Sequence, residues 1–208
     1  KNLIPHSVKK VVLASDVIRK PSPPGKARKF LPDGSNLPWV INNLQKHDKN
    51  RYNDWLHHVR TVFPDIRSID TIERPEDRHR YLIVDYGNKL KLPSWLVSDG
   101  ALRFLALTVL SYLDDLDGIY LIEEPENGIH PRAIEALYHS LSSVYGAQVL
   151  LASHSPVFLS CAEPSQLLCF AKNDAGASDV SSGKHHPKLK NWRGETSLGN
   201  LFASGILG

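Results

Sequence analysis

The spacing of apolar residues changes character along this chain. A short apolar stretch, Val11 to Ala14, precedes Pro21-Ser22-Pro23-Pro24-Gly25, which reads as strand or extended chain and then loop. From Asn36 the period becomes helical, with Pro38 near the first turn and Val40, Ile41 and Leu44 on one face. A second helix is predicted from near Asn50. Tyr52, Trp55, Leu56, Val59 and Phe63 recur at helical spacing, and Pro64 ends it. Residues 66–92 read as antiparallel strands: one around Ile66–Ile72, a charged loop over 73–79, a return at Tyr81–Tyr86, and a Gly87-Asn88 turn into Lys89–Leu92.

Beyond residue 93 the pattern becomes alternating α and β. Ser98 is a good N-cap, and Leu102, Leu105, Ala106, Val109, Leu110 and Leu113 predict a helix buried on one side. Gly118 precedes a strand over Ile119–Ile122 that runs into Glu123-Glu124-Pro125. Pro131 opens a helix with Ile134, Leu137, Tyr138, Leu141 and Val144 inward and Gly146 as its stop. Val149–Ala152 is the next strand. Strand, helix and strand in this length form a βαβ unit, so the two strands are expected to be parallel. A short helix and a strand over Gln166–Phe170 follow, then a polar loop over 172–190. Leu198–Leu207 is apolar and is expected to dock back. The predicted fold class is α/β with a parallel sheet core, antiparallel hairpins and a helical segment. The predicted division is 1–92 (basic arm, two helices, hairpins) and 93–208.

Composition narrows the function classes. With 208 residues, 41% apolar and 23% charged, the chain fits a packed domain or one large lobe. No run of 18 apolar residues exists, and the basic start lacks the apolar stretch of a signal peptide, so a soluble cytoplasmic protein with no membrane partner is expected. Two cysteines, Cys161 and Cys169, are too few for a disulfide framework or a four-thiolate zinc site. The chain starts at Lys1 and contains no methionine, which reads as a processed, excised or partly observed piece. Charge is uneven: residues 1–60 hold 12 Lys+Arg against 4 Asp+Glu, and residues 61–208 hold 13 against 18. A basic arm of this kind can bind DNA or RNA, bind an acidic partner, cover acidic neighbours in the same protein, or be a solvated surface.

Three segments carry candidate chemistry. Glu123 and Glu124 stand at the carboxyl end of a strand expected to be buried, the edge where open α/β sheets bind ligands. Two adjacent buried acids need a compensating cation, and Mg2+ would serve. Successive strand residues point to opposite sides, so one acid can face a metal and the other a water. The next strand ends in Ser153-His154-Ser155-Pro156, which places His154 within reach of the same ligand. Ser98-Asp99-Gly100 at a helix start is either a phosphate site or only a capped helix. His185-His186 can bind metal but reads more simply as part of a flexible polar loop.

Together these segments resemble the ABC-type ATPases of the branch near SMC, RecF and OLD proteins, many of which serve DNA repair or anti-phage defence. Val97-Ser98-Asp99-Gly100-Ala101-Leu102-Arg103 is similar to their signature motif, Ile119–Glu124 to the Walker B strand with its catalytic glutamate, Asn127–Pro131 to the D-loop, and Ser153–Pro156 to the switch-histidine segment. The resemblance covers about residues 94–160. It implies ATP and Mg2+ as cofactors. Glu123 would hold the metal, largely through water, and Glu124 would deprotonate the attacking water. His154, with Ser153 beside it, would contact the γ-phosphate. Ser98, Asp99 and Gly100 would meet the γ-phosphate of an ATP bound to the other subunit, with Asn127 and His130 crossing the dimer interface. A homodimer or ATPase-partner complex controlling an effector protein follows.

This sequence departs from the family in three respects. Asp99 replaces a glycine common in transporters, though this branch often carries Asp there. Glu123 stands where the family usually has Asp, and no Gly-x-x-x-x-Gly-Lys-Ser/Thr exists; Gly25-Lys26 and Gly183-Lys184 lack its remaining features. The phosphate loop is therefore expected upstream of, or in trans to, these residues. The competing readings are a catalytically inactive scaffold or regulator, and a metal-dependent nuclease using Glu123, Glu124 and Glu126. The nuclease is disfavoured because Glu126 follows Pro125 in a loop and no lysine sits with the acids in a typical nuclease pattern.

Overall fold

A computed structural model describes residues 7–25, 29–173, 175–190, 192, 194 and 196–207. Parts of the predicted basic arm, residues 1–6 and 26–28, lie outside these, as does Lys26 of Gly25-Lys26. The chain forms two compact units, one up to Ala152 and one from Ser153.

The first unit begins with β1 (Val8–Val11) and a short helix α1 (Ser15–Ile18), which the proline-rich composition nearby concealed. The helices α2 (Leu37–His47) and α3 (Lys49–Val62) follow. Asp48 rather than Asn50 starts α3: its side chain accepts from the Arg51 N–H at 3.0 Å. Tyr52, Trp55, Leu56 and Val59 are buried as their spacing requires. Trp55 donates to Thr108 Oγ1 at 3.1 Å and Tyr52 to the Ile69 carbonyl at 2.7 Å. Burial pushes the Tyr52 phenol up to about 12. Strands β2 (Ser68–Glu73), β3 (Arg80–Asp85) and β4 (Lys91–Pro93) form the expected antiparallel sheet in that order.

Helix α4 (Asp99–Thr108) runs into a 3-10 segment over Val109–Tyr112. Past its exposed first residue, Asp99, it is buried on more than the predicted side: Phe104, Leu107 and Thr108 join Leu102, Leu105 and Ala106. The apolar stripe marked one face, but helices pack around the rest, α1 and α3 among them. Strand β5 (Ile119–Glu123) leads through a 3-10 turn at Pro131–Ala133 into α5 (Ile134–Ser142), and β6 (Gln148–Ala152) follows. Helix α5 stops at Ser142, before Gly146. Gly146 instead packs under the Leu116 carbonyl, where a Cβ would approach to 2.8 Å.

The strands β1, β5 and β6 make a parallel sheet in that order. The βαβ expectation holds, and β1 adds a strand at the far side of β5. Register places Val11 beside Ile122 and Lys10 beside Leu121, with Leu121 beside Leu150. One face, with Val11, Tyr120 and Ile122, is buried.

The second unit contains α6 (Pro156–Ser160), β7 (Leu168–Lys172), β8 (Ser178–Ser182) and α7 (Leu198–Ala203). Residues 178–182 were expected to be loop. They form a strand because Asn173 and Gly176 close a tight turn that lets them pair antiparallel with β7. The apolar tail docks as expected, Leu198 and Leu207 packing with Leu189 and, at the margin, Trp192 and Phe202. Among the described residues, no helix is long and apolar enough to cross a membrane.

Candidate nucleotide site

The carboxyl end of β5 is shaped by its main chain. The Glu124 N–H donates to the Ala152 carbonyl at 2.7 Å, extending the ladder one residue past Glu123. Glu124 then adopts φ +45, a left-handed conformation uncommon for a residue with a side chain. Two consecutive turns follow, with the Asn127 N–H donating to Glu124 O and the Ile129 N–H to Glu126 O, both at 3.0 Å. Gly128 has φ +75, as the second turn requires. Strand direction is thus broken at Glu124, and the two acids leave the edge differently.

Both acids are exposed, contrary to the expectation of a buried pair. The apolar residues leading into them are covered, but the strand end is open. Glu123 lies on the sheet face that carries Lys10, whose Nζ is 2.9 Å from Glu123 Oε1. The charge of Glu123 is therefore met by a lysine from a strand distant in sequence. The sequence showed no lysine beside the acids because the pairing of β1 with β5 is not written in local spacing.

The start of α4 packs directly on the loop after β5. A Cβ on Gly100 would lie 2.4 Å from the Gly128 carbonyl oxygen, well inside van der Waals contact. Ser98 is the N-cap, accepting from the Ala101 N–H at 3.4 Å. Asp99 accepts two hydrogen bonds from Arg19, which also donates to the Trp95 carbonyl at 2.9 Å. Arg103 donates to the Leu13 carbonyl at 2.9 Å. The structure thus brings Ser98, Asp99 and Gly100 onto the Asn127–Gly128 loop that follows Glu123 and Glu124. His130 caps the turn before α5, its Nδ1 accepting from the Arg132 N–H at 3.2 Å. Ser153 and His154 follow Ala152 directly in the chain and belong to the second unit. There Ser153 Oγ accepts from the Ser155 N–H at 3.0 Å, and His154 is exposed. Arg19 and Lys10 were missed by sequence reasoning, as only their charge was visible.

The charge split resolves in part within the fold. Lys9 and Lys29 reach Asp117, Lys10 reaches Glu123, Arg19 reaches Asp99 and Arg51 reaches Asp114. Among the alternatives for the basic region, covering acidic neighbours is the one these contacts favour. Exposed pairs of this kind add little stability each.

For a divalent cation, the donor chemistry is a hard carboxylate oxygen at an open edge. Mg2+ typically takes one or two carboxylates and completes its shell with water and substrate phosphates. Among the described residues, no group of three or more His, Cys, Asp or Glu gathers to form a protein-only cage. The exposed carboxylate of Glu123 is a donor of the type such a cation takes.

No curated protein sequence matches the chain. Among solved structures, it is similar to an Smc head bound to the C-winged helix domain of ScpA (17% identity, TM-score 0.53), over 72% of this chain and 47% of that one. It is also similar to an Smc head domain with an extended coiled coil, bound to the C-terminal domain of ScpA, from Pyrococcus furiosus (17% identity, TM-score 0.49), over 72% and 40%. The chain spans about half the length of the first, and what the two share is the fold of an Smc head. The family model described as "AAA domain, putative AbiEii toxin, Type IV TA system" matches residues 3–160, and the chain belongs to that family of AAA domains.

Proposed function

We propose that this chain is the signature and Walker B part of an ABC-type ATPase that binds and hydrolyses ATP as a head-to-tail dimer. The observation that carries the reading is the packing of the Gly100 helix start on the Gly128 loop, directly after two acids at the carboxyl edge of a parallel sheet. The residues read as signature, metal holder and water base all lie in the same compact unit, which supports the reading.

In this reading Glu123 would hold Mg2+, largely through water, in place of its ion pair with Lys10. Such a cation would supply charge neutralisation at the phosphates. Glu124, turned off the strand line by its left-handed backbone, orients the attacking water and takes its proton. His154 contacts the γ-phosphate, with Ser153 beside it. Ser98 and the amides near Asp99 and Gly100 face the γ-phosphate bound by the other subunit, and Asn127 and His130 lie at the interface. Positioning and charge stabilisation dominate phosphoryl transfer, and these groups supply both. The phosphate loop comes from outside residues 1–208. The family description, a putative AbiEii toxin of a type IV TA system, favours a toxin–antitoxin setting over DNA repair, and in this reading nucleotide state would switch a partner effector.

The test is Glu124→Gln in the complete protein. Turnover is expected to fall at least about 100-fold, the low end for removing a general base, while ATP drives a persistent dimer on size exclusion. Turnover at the normal rate would remove Glu124 from this role.

A further inference from the structure

Two charged residues stand on one face of the parallel sheet, and they meet. Side chains alternate along each strand, so Lys10 of β1 and Glu123 of β5 share the face that carries Val8, Leu121 and Leu150. The remaining strand residues of that face are uncharged. Lys10 stands in register with Leu121, two residues before Glu123, and reaches diagonally so that its Nζ lies 2.9 Å from Glu123 Oε1. Lys9 points to the opposite face, where its Nζ donates to Asp117 Oδ1 at 2.6 Å and to the Tyr120 hydroxyl at 3.2 Å.

The ion pair distinguishes two acids that are adjacent in sequence. Glu123 has a counter-ion of its own. Among the described residues Glu124 has none, and its backbone turns off the strand line at φ +45. An ammonium at hydrogen-bond distance neutralises the same carboxylate charge that a hard divalent ion would meet. The side chains of Lys10 and Glu123 are 54% and 64% exposed, so the pair adds little to folding stability and is easily displaced. Its tether on the neighbouring strand nevertheless returns Lys10 to the carboxylate at an effective concentration that the solution does not change.

We propose that Lys10 is a built-in competitor at the cation site, occupying the Glu123 carboxylate until a divalent ion displaces it and thereby setting the Mg2+ concentration at which the site loads. The inference rests on the ATPase reading and adds a regulating residue to that site. Mg2+ draws part of its shell from substrate phosphates. Displacement of Lys10 is therefore favoured with nucleotide present and disfavoured without it, which ties loading of the ion to loading of the nucleotide.

The experiment titrates Mg2+ into the complete protein with a fluorescent, non-hydrolysable ATP analogue and reads the Mg2+ concentration for half-maximal binding of the analogue. Lys10→Gln is expected to lower that concentration about 2- to 5-fold, the worth of one exposed ion pair. Lys10 is half exposed, so the substitution removes no core packing. Lys10→Arg, which keeps the charge, is expected to stay near wild type. Lys9→Gln removes the same charge from the opposite face and is expected to shift the midpoint far less, because at about 0.15 M salt the screening length is only about 8 Å. At about 1 M salt, where that length falls to about 3 Å, wild type and Lys10→Gln are expected to converge. Equal shifts from Lys9→Gln and Lys10→Gln would reduce the effect to net charge and overturn the proposal. An unchanged midpoint in Lys10→Gln, with binding weakened in Glu123→Ala, would overturn the role of Lys10 and leave Glu123 as the metal residue. An unchanged midpoint in Glu123→Ala as well would remove the metal role of Glu123 and the proposal with it, and failure of the complete protein to bind the analogue at any Mg2+ concentration would overturn the ATPase reading itself.

Discussion

Replacing Gly100 by alanine sets two effects of opposite sign against each other. Gly100 is the second residue of α4, where alanine would ordinarily be better by up to about 1 kcal/mol. The added Cβ, however, would sit 2.4 Å from the Gly128 carbonyl oxygen, where ordinary contact begins at 3.4 Å. The obstacle is main chain, so helix or loop must move by about 1 Å, in the regime where overpacking costs about 1–3 kcal/mol. The balance is a loss of about 0–3 kcal/mol, or a Tm lower by no more than about 12 °C in a protein of this size. Activity should suffer far more. A shift of about 1 Å would move the helix start away from the loop after Glu124, and misplacement on that scale costs on the order of 100-fold in rate. Gly128→Ala is the control. Its nearest neighbour would be Arg103 Cδ at 3.9 Å, so no collision arises, but its φ of +75 would cost alanine about 1–2 kcal/mol. Thermal melts and ATP turnover of both variants in the complete protein check this. A Gly100→Ala protein with raised Tm and normal turnover would refute the contact.

The strain at Glu124 predicts a trade of stability against function. Glu124→Gly relieves the left-handed φ of +45 and, after the entropy that glycine brings to the unfolded chain, should gain about 0.5–1 kcal/mol, whereas Glu124→Ala keeps the strain and gains nothing. Both lose hydrolysis, and equal urea midpoints for the two would show that no strain is stored there. His58, stacked on Phe104 and beside Tyr112, has its pKa lowered from 6.5 chiefly by burial, against a hydrogen bond to the Ala136 backbone, with His139 and His57 lowering it further. Its folded form binds its proton less readily than the unfolded chain. Its contribution is therefore complete above pH 6.5 and is lost as pH falls through the folded value. His58→Gln should flatten the stability profile below pH 6.5, and urea midpoints at pH 7.5 and 5.5 that differ as much as in wild type would exclude His58 as the source.

Much of the architecture was legible because it is local. The helix at Tyr52–Val59, the hairpin around Gly87 and the parallel pair β5–β6 each announce themselves in apolar period, turn residues and length. The position of Glu123-Glu124 at a strand end was legible for the same reason. What failed was exposure and pairing. The acids were expected to be buried because four apolar residues lead into them, but burial of a strand says nothing about its last residue when the sheet edge is open. The hidden helix that seats Arg19, and the lysine that meets Glu123, depend on which strand lies beside β5. The β8 strand has the composition of a loop, Ser-Asp-Val-Ser-Ser, and is a strand only because β7 offers it a ladder.

The arrangement around α4 explains why a signature motif would be built on this framework. Its first turn is restrained at three points. Arg19 joins Asp99 to the Trp95 carbonyl, Gly100 rests on the Gly128 carbonyl, and Arg103 holds the Leu13 carbonyl just after β1. Two of these three restraints come from residues 13–19, whose chain continues from the strand paired with β5. A displacement of Glu123, such as the one that releasing Lys10 would allow, therefore has a short covalent and hydrogen-bonded route to the helix start. The route runs from Lys10 through Leu13 to Arg103, and from the Glu124 turn through Gly128 to Gly100. Because the second path is a main-chain contact with no side chain to yield, it transmits position rather than absorbing it. On the proposed ATPase reading, coupling between the acids and the helix start would depend on the glycine at 100, because any Cβ there would meet the Gly128 carbonyl oxygen at 2.4 Å.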